Sequence, residues 1–208
     1  MDKDKVMAKI EDTTANPAPL GLLGFGMTTV LLNIHNTGYY ALGAMVLAMG
    51  IFYGGLAQIF AGWMEWKKGN TFGTVAFSSY GLFWLTLVGL LLLQKTNLWD
   101  ATSNGFMGWY FIAWGFFTFC MFVGTLRLNV ALQVVFGTLT VLFVLLAAHD
   151  WMVAKGVAQS TCDTLLHVAG WEGIVCGLSA VYAGVAQVLN EVYGKVILPI
   201  CPVKKKEA

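Results

Sequence analysis

Residues 128–148 read Leu128-Asn-Val-Ala-Leu-Gln-Val-Val-Phe-Gly-Thr-Leu-Thr-Val-Leu-Phe-Val-Leu-Leu-Ala-Ala148, with no charged side chain in the stretch. A bilayer core takes about 20 consecutive apolar residues in helical form, so this run is long enough to cross one. Its apolar residues are continuous, whereas the strand of a membrane barrel alternates over about 10 residues. Five more stretches of the same kind lie on either side: Pro17 to Asn36, Tyr40 to Met64, Phe72 to Leu93, Phe106 to Leu126 and Thr164 to Asn190. The sequence therefore predicts an all-α membrane protein built as a six-transmembrane-helix bundle.

Composition agrees. The chain is 58% hydrophobic and 11% charged, with mean hydropathy +0.70, against about 25% charged residues in ordinary soluble domains. There are too few polar side chains to cover the outside of a soluble fold, so lipid must cover it. The net charge of +1 lacks the clustered Lys and Arg that a nucleic-acid partner requires. Cys120 and Cys176 fall inside apolar runs, and Cys162 and Cys201 at helix ends. With no CxxC or zinc spacing, they read as packing thiols rather than a disulfide framework or metal site. Residues 1–15 are polar and do not resemble a cleavable signal peptide, so the first span is expected to stay. Residues 1–15 form a cytoplasmic tail, 16–200 the six-helix domain and 201–208 a basic cytoplasmic tail.

Orientation comes from the positive-inside rule. Six spans put the N-terminus, the second and fourth loops and the C-terminus on one side. That side holds Lys3, Lys5, Lys9, Lys67, Lys68, Arg127, Lys195, Lys204, Lys205 and Lys206, ten basic residues against two, Lys95 and Lys155. Both termini are thus expected in the cytoplasm. Trp63, Trp66, Trp99, Trp109 and Trp151 fall near span ends, where indoles favour the headgroup level.

Asn16-Pro-Ala-Pro19 opens the first span with a capping residue and a proline at the first helical position. The N–H groups there favour an anion, or they simply start the helix well. Gly170, Gly173, Gly177, Ala180 and Gly184 form a small-residue stripe on the last span, and Gly50, Gly54, Ala57 and Ala61 a shorter one on the second. Such stripes allow close helix packing or line a narrow conduit. Tyr53-Gly-Gly-Leu-Ala-Gln58 and Tyr182-Ala-Gly-Val-Ala-Gln187 echo one another, as in transporters built from internal repeats.

Glu172, the one acidic side chain well inside a span, and His167, five residues before it, are candidates for protonation; Glu172 otherwise reads as a hydrated structural group near the outer mouth. His35 and His149 read as interfacial. Of the uncharged polar residues, Asn16, Thr28, Thr29, Asn33, Gln58 and Gln133 are candidates to face a water path and bind substrate, while most of the others bond to neighbouring helices or their own backbone. There is no GxSxG, HExxH, P-loop or paired-carboxylate motif, so no enzyme activity and no cofactor are expected.

The segments Asn16-Pro-Ala-Pro-Leu-Gly21-Leu22, Gly24-Phe-Gly-Met-Thr-Thr29, Met49-Gly-Ile-Phe-Tyr-Gly-Gly55, Lys67-Lys-Gly-Asn-Thr-Phe-Gly73, Tyr80-Gly-Leu-Phe-Trp84 and His167-Val-Ala-Gly-Trp171 occur in order. Together they resemble the acetate uptake transporter family across residues 16–200. The resemblance implies a homo-hexamer in a prokaryotic inner (plasma) membrane, each protomer having its own path for acetate or succinate. It also implies a hydrophobic narrowing, which falls by motif on Phe25, Tyr80 and Leu139, with Ala180 as a further narrow point. One departure stands out: where the family has an apolar residue after the Trp171 motif, this chain has Glu172.

An unpaired carboxylate in an apolar slot costs several kcal/mol even after relaxation, and no Lys or Arg lies inside the expected spans. Passage must rely on helix ends, on amide and hydroxyl donors such as Asn33 and Tyr80, or on a proton that neutralises the acid. The competing readings are a urea or short-amide channel and a non-transporting scaffold or acetate sensor. The short loops leave little room for a signalling domain.

Overall fold

The computed structural model describes residues 14–96 and 98–203. Lys3, Lys5, Lys9 and Lys204 to Lys206 lie outside the described residues. Among the described residues six helices are long and apolar enough to cross a membrane: α1 Ala18–Asn36, α2 Ala44–Lys67, α3 Thr71–Lys95, α4 Asn104–Thr125, α5 Val130–Ala154 and α6 Gln159–Val192. Helices are the form that lets each segment satisfy its own backbone where no water is present.

Three helix starts are capped by side chains. Asn70 accepts from Gly73 N–H at 3.1 Å, Ser103 from Phe106 N–H at 3.4 Å and Asn129 from Leu132 N–H at 2.9 Å. The expected start of α1 shifts by one residue. Pro17 is the cap and the helix runs from Ala18, whose N–H donates to Asn16 Oδ1 at 3.1 Å. Residues 40–43 are not helical, because the Tyr40 carbonyl is held by His35 Nδ1 at 2.7 Å and Gly43 is extended. Leu128 and Asn129 belong to the preceding turn, and α6 begins at Gln159 rather than Thr164. At 1.5 Å per residue α6 spans about 51 Å, so its polar first turns project beyond the hydrocarbon.

The helices form a ring in chain order. Each packs on the next, and α6 closes on α1 through the most extensive helix contact of the bundle. That contact is built by glycine. A Cβ on Gly177 would meet Gly26 O at 2.7 Å, and one on Gly26 would meet Gly177 O at 2.6 Å. The α6 stripe is therefore a packing seam, as small residues in lipid commonly are. The seam between α3 and α4 is the opposite case. Its backbones stay apart because rings fill the gap: Phe83 stacks on Tyr110 at 5.9 Å and meets Trp114 at 5.2 Å.

Residues 52–57 of α2 form a π-helical turn. Its widened ring presses the Tyr53 carbonyl towards Gly24 of α1 and the Gly55 carbonyl towards Gly81 of α3, where a Cβ would sit 2.6 and 2.7 Å from those oxygens. A π turn shifts the register of the helix beyond it. The predicted face Gly50, Gly54, Ala57, Ala61 is consequently broken: Gly54 is buried, Ala57 half-exposed and Ala61 buried. Tyr53 lies within this turn while Tyr182 lies in regular helix, so the sequence echo does not extend to the backbone.

Cys162 and Cys176 are buried as expected, whereas Cys120 and Cys201 are exposed on the protomer. Trp63, Trp66, Trp99 and Trp109 lie on the surface. Trp151 instead packs into the bundle, donating to Gly105 O at 3.2 Å. Residues 197–203 fold back as a strap. Val130 N–H donates to Cys201 O at 3.0 Å, Val203 N–H to Leu128 O at 2.9 Å, and Tyr182 Oη to Pro199 O at 2.8 Å.

Candidate functional site

The ring encloses two cavities of about 380 Å³ each, a proximal one near the end that carries both termini and a distal one near the opposite end. Phe25 and Leu139 line both, so the cavities face one another across these two side chains. Tyr80 lines the proximal side with its ring 5.8 Å from that of Phe25. Phe25, Tyr80 and Leu139 are 5%, 3% and 3% exposed, and they come from α1, α3 and α5, alternate members of the ring. The result is an apolar neck with an aqueous-sized space on each side.

The Tyr80 hydroxyl is committed. Thr118 donates its one hydrogen to Trp114 O at 2.7 Å, so it must accept from Tyr80 Oη, 2.9 Å away. Tyr80 thus offers a ring to the neck and no donor, contrary to the expectation from sequence.

Just beyond the neck on the distal side, one helical turn on from Phe25 and from Tyr80, stand Thr29 and Trp84. Thr29 Oγ1 and Trp84 Nε1 are both buried and find no hydrogen-bond partner among the described residues, and both residues line the distal cavity. Asn33 lines the same cavity and donates one of its two amide hydrogens to Thr29 O at 2.9 Å. Further out the lining includes His35, Gln94, Asn104 and the His149–Asp150 pair, 2.9 Å apart. The sequence reading left His35 and His149 as interfacial and missed that they gather at one mouth.

The proximal cavity holds Gln58, whose Oε1 is also buried without a partner among the described residues. Asn16 and Gln187 sit at its rim, joined by a 3.0 Å bond from Asn16 Nδ2 to Gln187 Oε1. The two echoed glutamines, Gln58 and Gln187, therefore reach one cavity although their backbones differ. Glu65, Lys68, Asn70 and Asn129 complete its polar lining. Sequence reading took Lys68 as a topology signal and passed over Glu65. The signal available was their position beside the Asn70 cap.

Five predicted site residues line neither cavity. Thr28 is fully buried against α2 and donates to Gly24 O at 2.7 Å. Gln133 reaches Thr125 O at 3.5 Å. Ala180 is buried in the core close to the α1–α6 seam. His167 is exposed and lies against Gly38. Glu172 points both oxygens into protein without a partner among the described residues, one turn from Cys176, whose Sγ contacts Val135 O of α5 at 3.8 Å.

Comparison with known proteins adds an independent line. Residues 3–205 match the profile of the GPR1/FUN34/yaaH family. The chain is 58% identical over 186 residues to the succinate-acetate/proton symporter SatP of Escherichia coli strain K12, covering 89% of this chain and 95% of that one. It is 32% identical over 198 residues to acetate permease A of Emericella nidulans, covering 89% of this chain and 65% of the fungal one. A solved structure described as the bacterial acetate channel SatP superposes with a TM-score of 0.84 at 57% identity, covering 90% of this chain and 99% of that chain.

Proposed function

The chain belongs to the GPR1/FUN34/yaaH family, and from that membership and the geometry of its cavities we propose that it carries acetate, and less readily succinate, across a prokaryotic inner membrane. The observation that carries this reading is the pair of 380 Å³ cavities that meet at Phe25 and Leu139. Each has room for a small carboxylic acid. The neck is apolar and gives a charge no partner among the described residues, so an acid crosses it most cheaply with its charge neutralised. On the distal side Thr29 and Trp84 present two donors to receive a carboxyl group. On the proximal side Gln58, Asn16 and Gln187 supply amides. Multiple weak contacts suit passage better than one tight site.

In this reading the proximal cavity opens to the cytoplasm, both termini lie there and six protomers assemble, each with its own neck. Relatives named as a proton symporter and as a channel support the choice of acid over urea.

The test is counterflow of radiolabelled acetate in proteoliposomes of the purified protein. Acetate exchange that excess unlabelled acetate blocks and excess urea leaves intact is the expected result. Vesicles that bind acetate yet pass none would overturn the proposal in favour of a sensor. Native mass spectrometry in detergent reads the assembly, with six chains expected.

A further inference from the structure

The lining of the distal cavity runs in the same order along three helices. On α3, Trp84 is followed by Leu87 and Leu91 and then by Gln94. On α5, Leu139 is followed by Leu142 and Leu146 and then by the His149–Asp150 pair. On α1, Thr29 is followed by Leu32 and then by His35. The cavity therefore has a floor of two donors beside the neck, a leucine band above it and a polar rim at the mouth, with Met107 of α4 joining the band. Asn33 stands at the level of the band but keeps its amide on α1. It donates to Thr29 O at 2.9 Å and accepts from Asn36 Nδ2 at 3.0 Å.

An acid in this cavity has two polar levels to choose from. At the rim His149 already bonds Asp150 at 2.9 Å and His35 Nδ1 bonds Tyr40 O at 2.7 Å, and a second carboxyl there would sit beside that of Asp150. At the floor Thr29 Oγ1 and Trp84 Nε1 have no partner among the described residues, and each residue is 3% exposed. The carboxyl group gains most where donors are free to take it, so it belongs at the floor and its carbon chain lies along the band. Leu87 to Leu91 covers about 6 Å of the helix axis. A saturated chain advances roughly 1.3 Å per carbon, since its bonds are about 1.5 Å long, so about five carbons beyond the carboxyl match the band. Acetate brings one. Each further methylene taken out of water strengthens binding about fourfold.

We propose that the distal cavity is a binding site for a medium-chain monocarboxylic acid of about six carbons, its carboxyl group on Thr29 and Trp84 and its tail on the leucine band. This rests on the proposed reception of acetate at the same two donors. Passage requires contacts weak enough to be left. The longer acid is held by its tail as well as its carboxyl group, so it stays on the distal side of the neck and blocks acetate instead of following it.

The test uses the full-length protein in proteoliposomes with equal pH on both sides. Propionate, butyrate, hexanoate, octanoate and decanoate are titrated against counterflow of labelled acetate. Their inhibition constants should fall about fourfold per methylene up to about six carbons and level off beyond, because a longer tail reaches Gln94 and the His149–Asp150 pair. A flat series overturns the proposal, and so does one that keeps falling to ten carbons, which is how partition into lipid behaves. Leu91→Gln, at a half-buried position, should weaken hexanoate about tenfold relative to acetate. An unchanged ratio in that variant overturns the leucine band as the tail site. Trp84→Phe removes a donor and should weaken hexanoate and acetate alike. If it weakens acetate and spares hexanoate, the carboxyl group lies elsewhere and the proposal falls. Should a variant fail to fold or to exchange acetate, the wild-type series decides. Acetate counterflow with a flat series sinks this proposal alone, whereas a wild type with no acetate counterflow sinks the acetate reading beneath it.

Discussion

Thr29→Val exchanges a hydroxyl for a methyl of the same shape at a residue that is 3% exposed and whose Oγ1 meets no partner among the described residues. That geometry gives the substitution two separable effects. Without acetate the hydroxyl bonds no described residue, so the isosteric methyl removes no protein contact and the valine variant should be about as stable as the wild type. With acetate present the hydroxyl becomes a donor to the substrate. A hydrogen bond to an ionised carboxylate is worth about 1.5–3 kcal/mol and one to a neutral acid about 0.5–1.5. At 1.4 kcal/mol per decade, loss of the donor weakens binding by about 10- to 150-fold in the first case and about 2- to 12-fold in the second. The measurement is therefore diagnostic of the charge that the acid carries beside the neck. Acetate affinity would be read by equilibrium binding to detergent-solubilised protein and apo stability by thermal unfolding of the same sample. Because the neck is apolar, the smaller loss is expected. A Thr29→Val variant that unfolds more readily while binding acetate unchanged would refute the reasoning and assign the hydroxyl to structure.

Leu139 borders both cavities, so Leu139→Ala should widen the neck and raise propionate flux relative to acetate by about tenfold, the discrimination typical of one methylene. Unchanged selectivity in vesicle uptake contradicts the assignment, and Phe25→Ala should act in the same direction. Tyr80→Phe should leave acetate flux within about twofold and cost about 1 kcal/mol of stability, since the hydroxyl serves Thr118 and not the substrate. A collapse of flux in that variant would mean that Tyr80 turns towards the acid during transport. Gly177→Ala places a methyl 2.7 Å from Gly26 O, and with backbone on both sides it should destabilise the protein by about 1–3 kcal/mol. Differential scanning fluorimetry in detergent checks this, and an unaltered melting point would mean that the glycine seam does not hold α6 to α1.

How much of this was legible in the residues themselves divides along a physical line. Six spans, their approximate ends and the all-helical form follow from sequence alone, because hydrocarbon leaves a backbone no alternative and a run such as 128–148 has one stable conformation there. Which side of each helix faces the pathway does not follow, since helices apolar all round carry no amphipathic stripe that marks an interior. Thr28 and Thr29 are equivalent in composition and adjacent in sequence. Packing turns one against α2, where it bonds Gly24, and the other towards the distal cavity, where it bonds nothing among the described residues. The π turn at 52–57, invisible to periodicity, rotates the rest of α2 and sets Gln58 and Glu65 on the proximal side. Resemblance singled out Phe25, Tyr80 and Leu139, yet only the ring closure of α6 on α1 brings alternate helices together at one neck. Local chemistry determined that the chain is built for lipid; the order of packing around the ring decided where its two cavities meet.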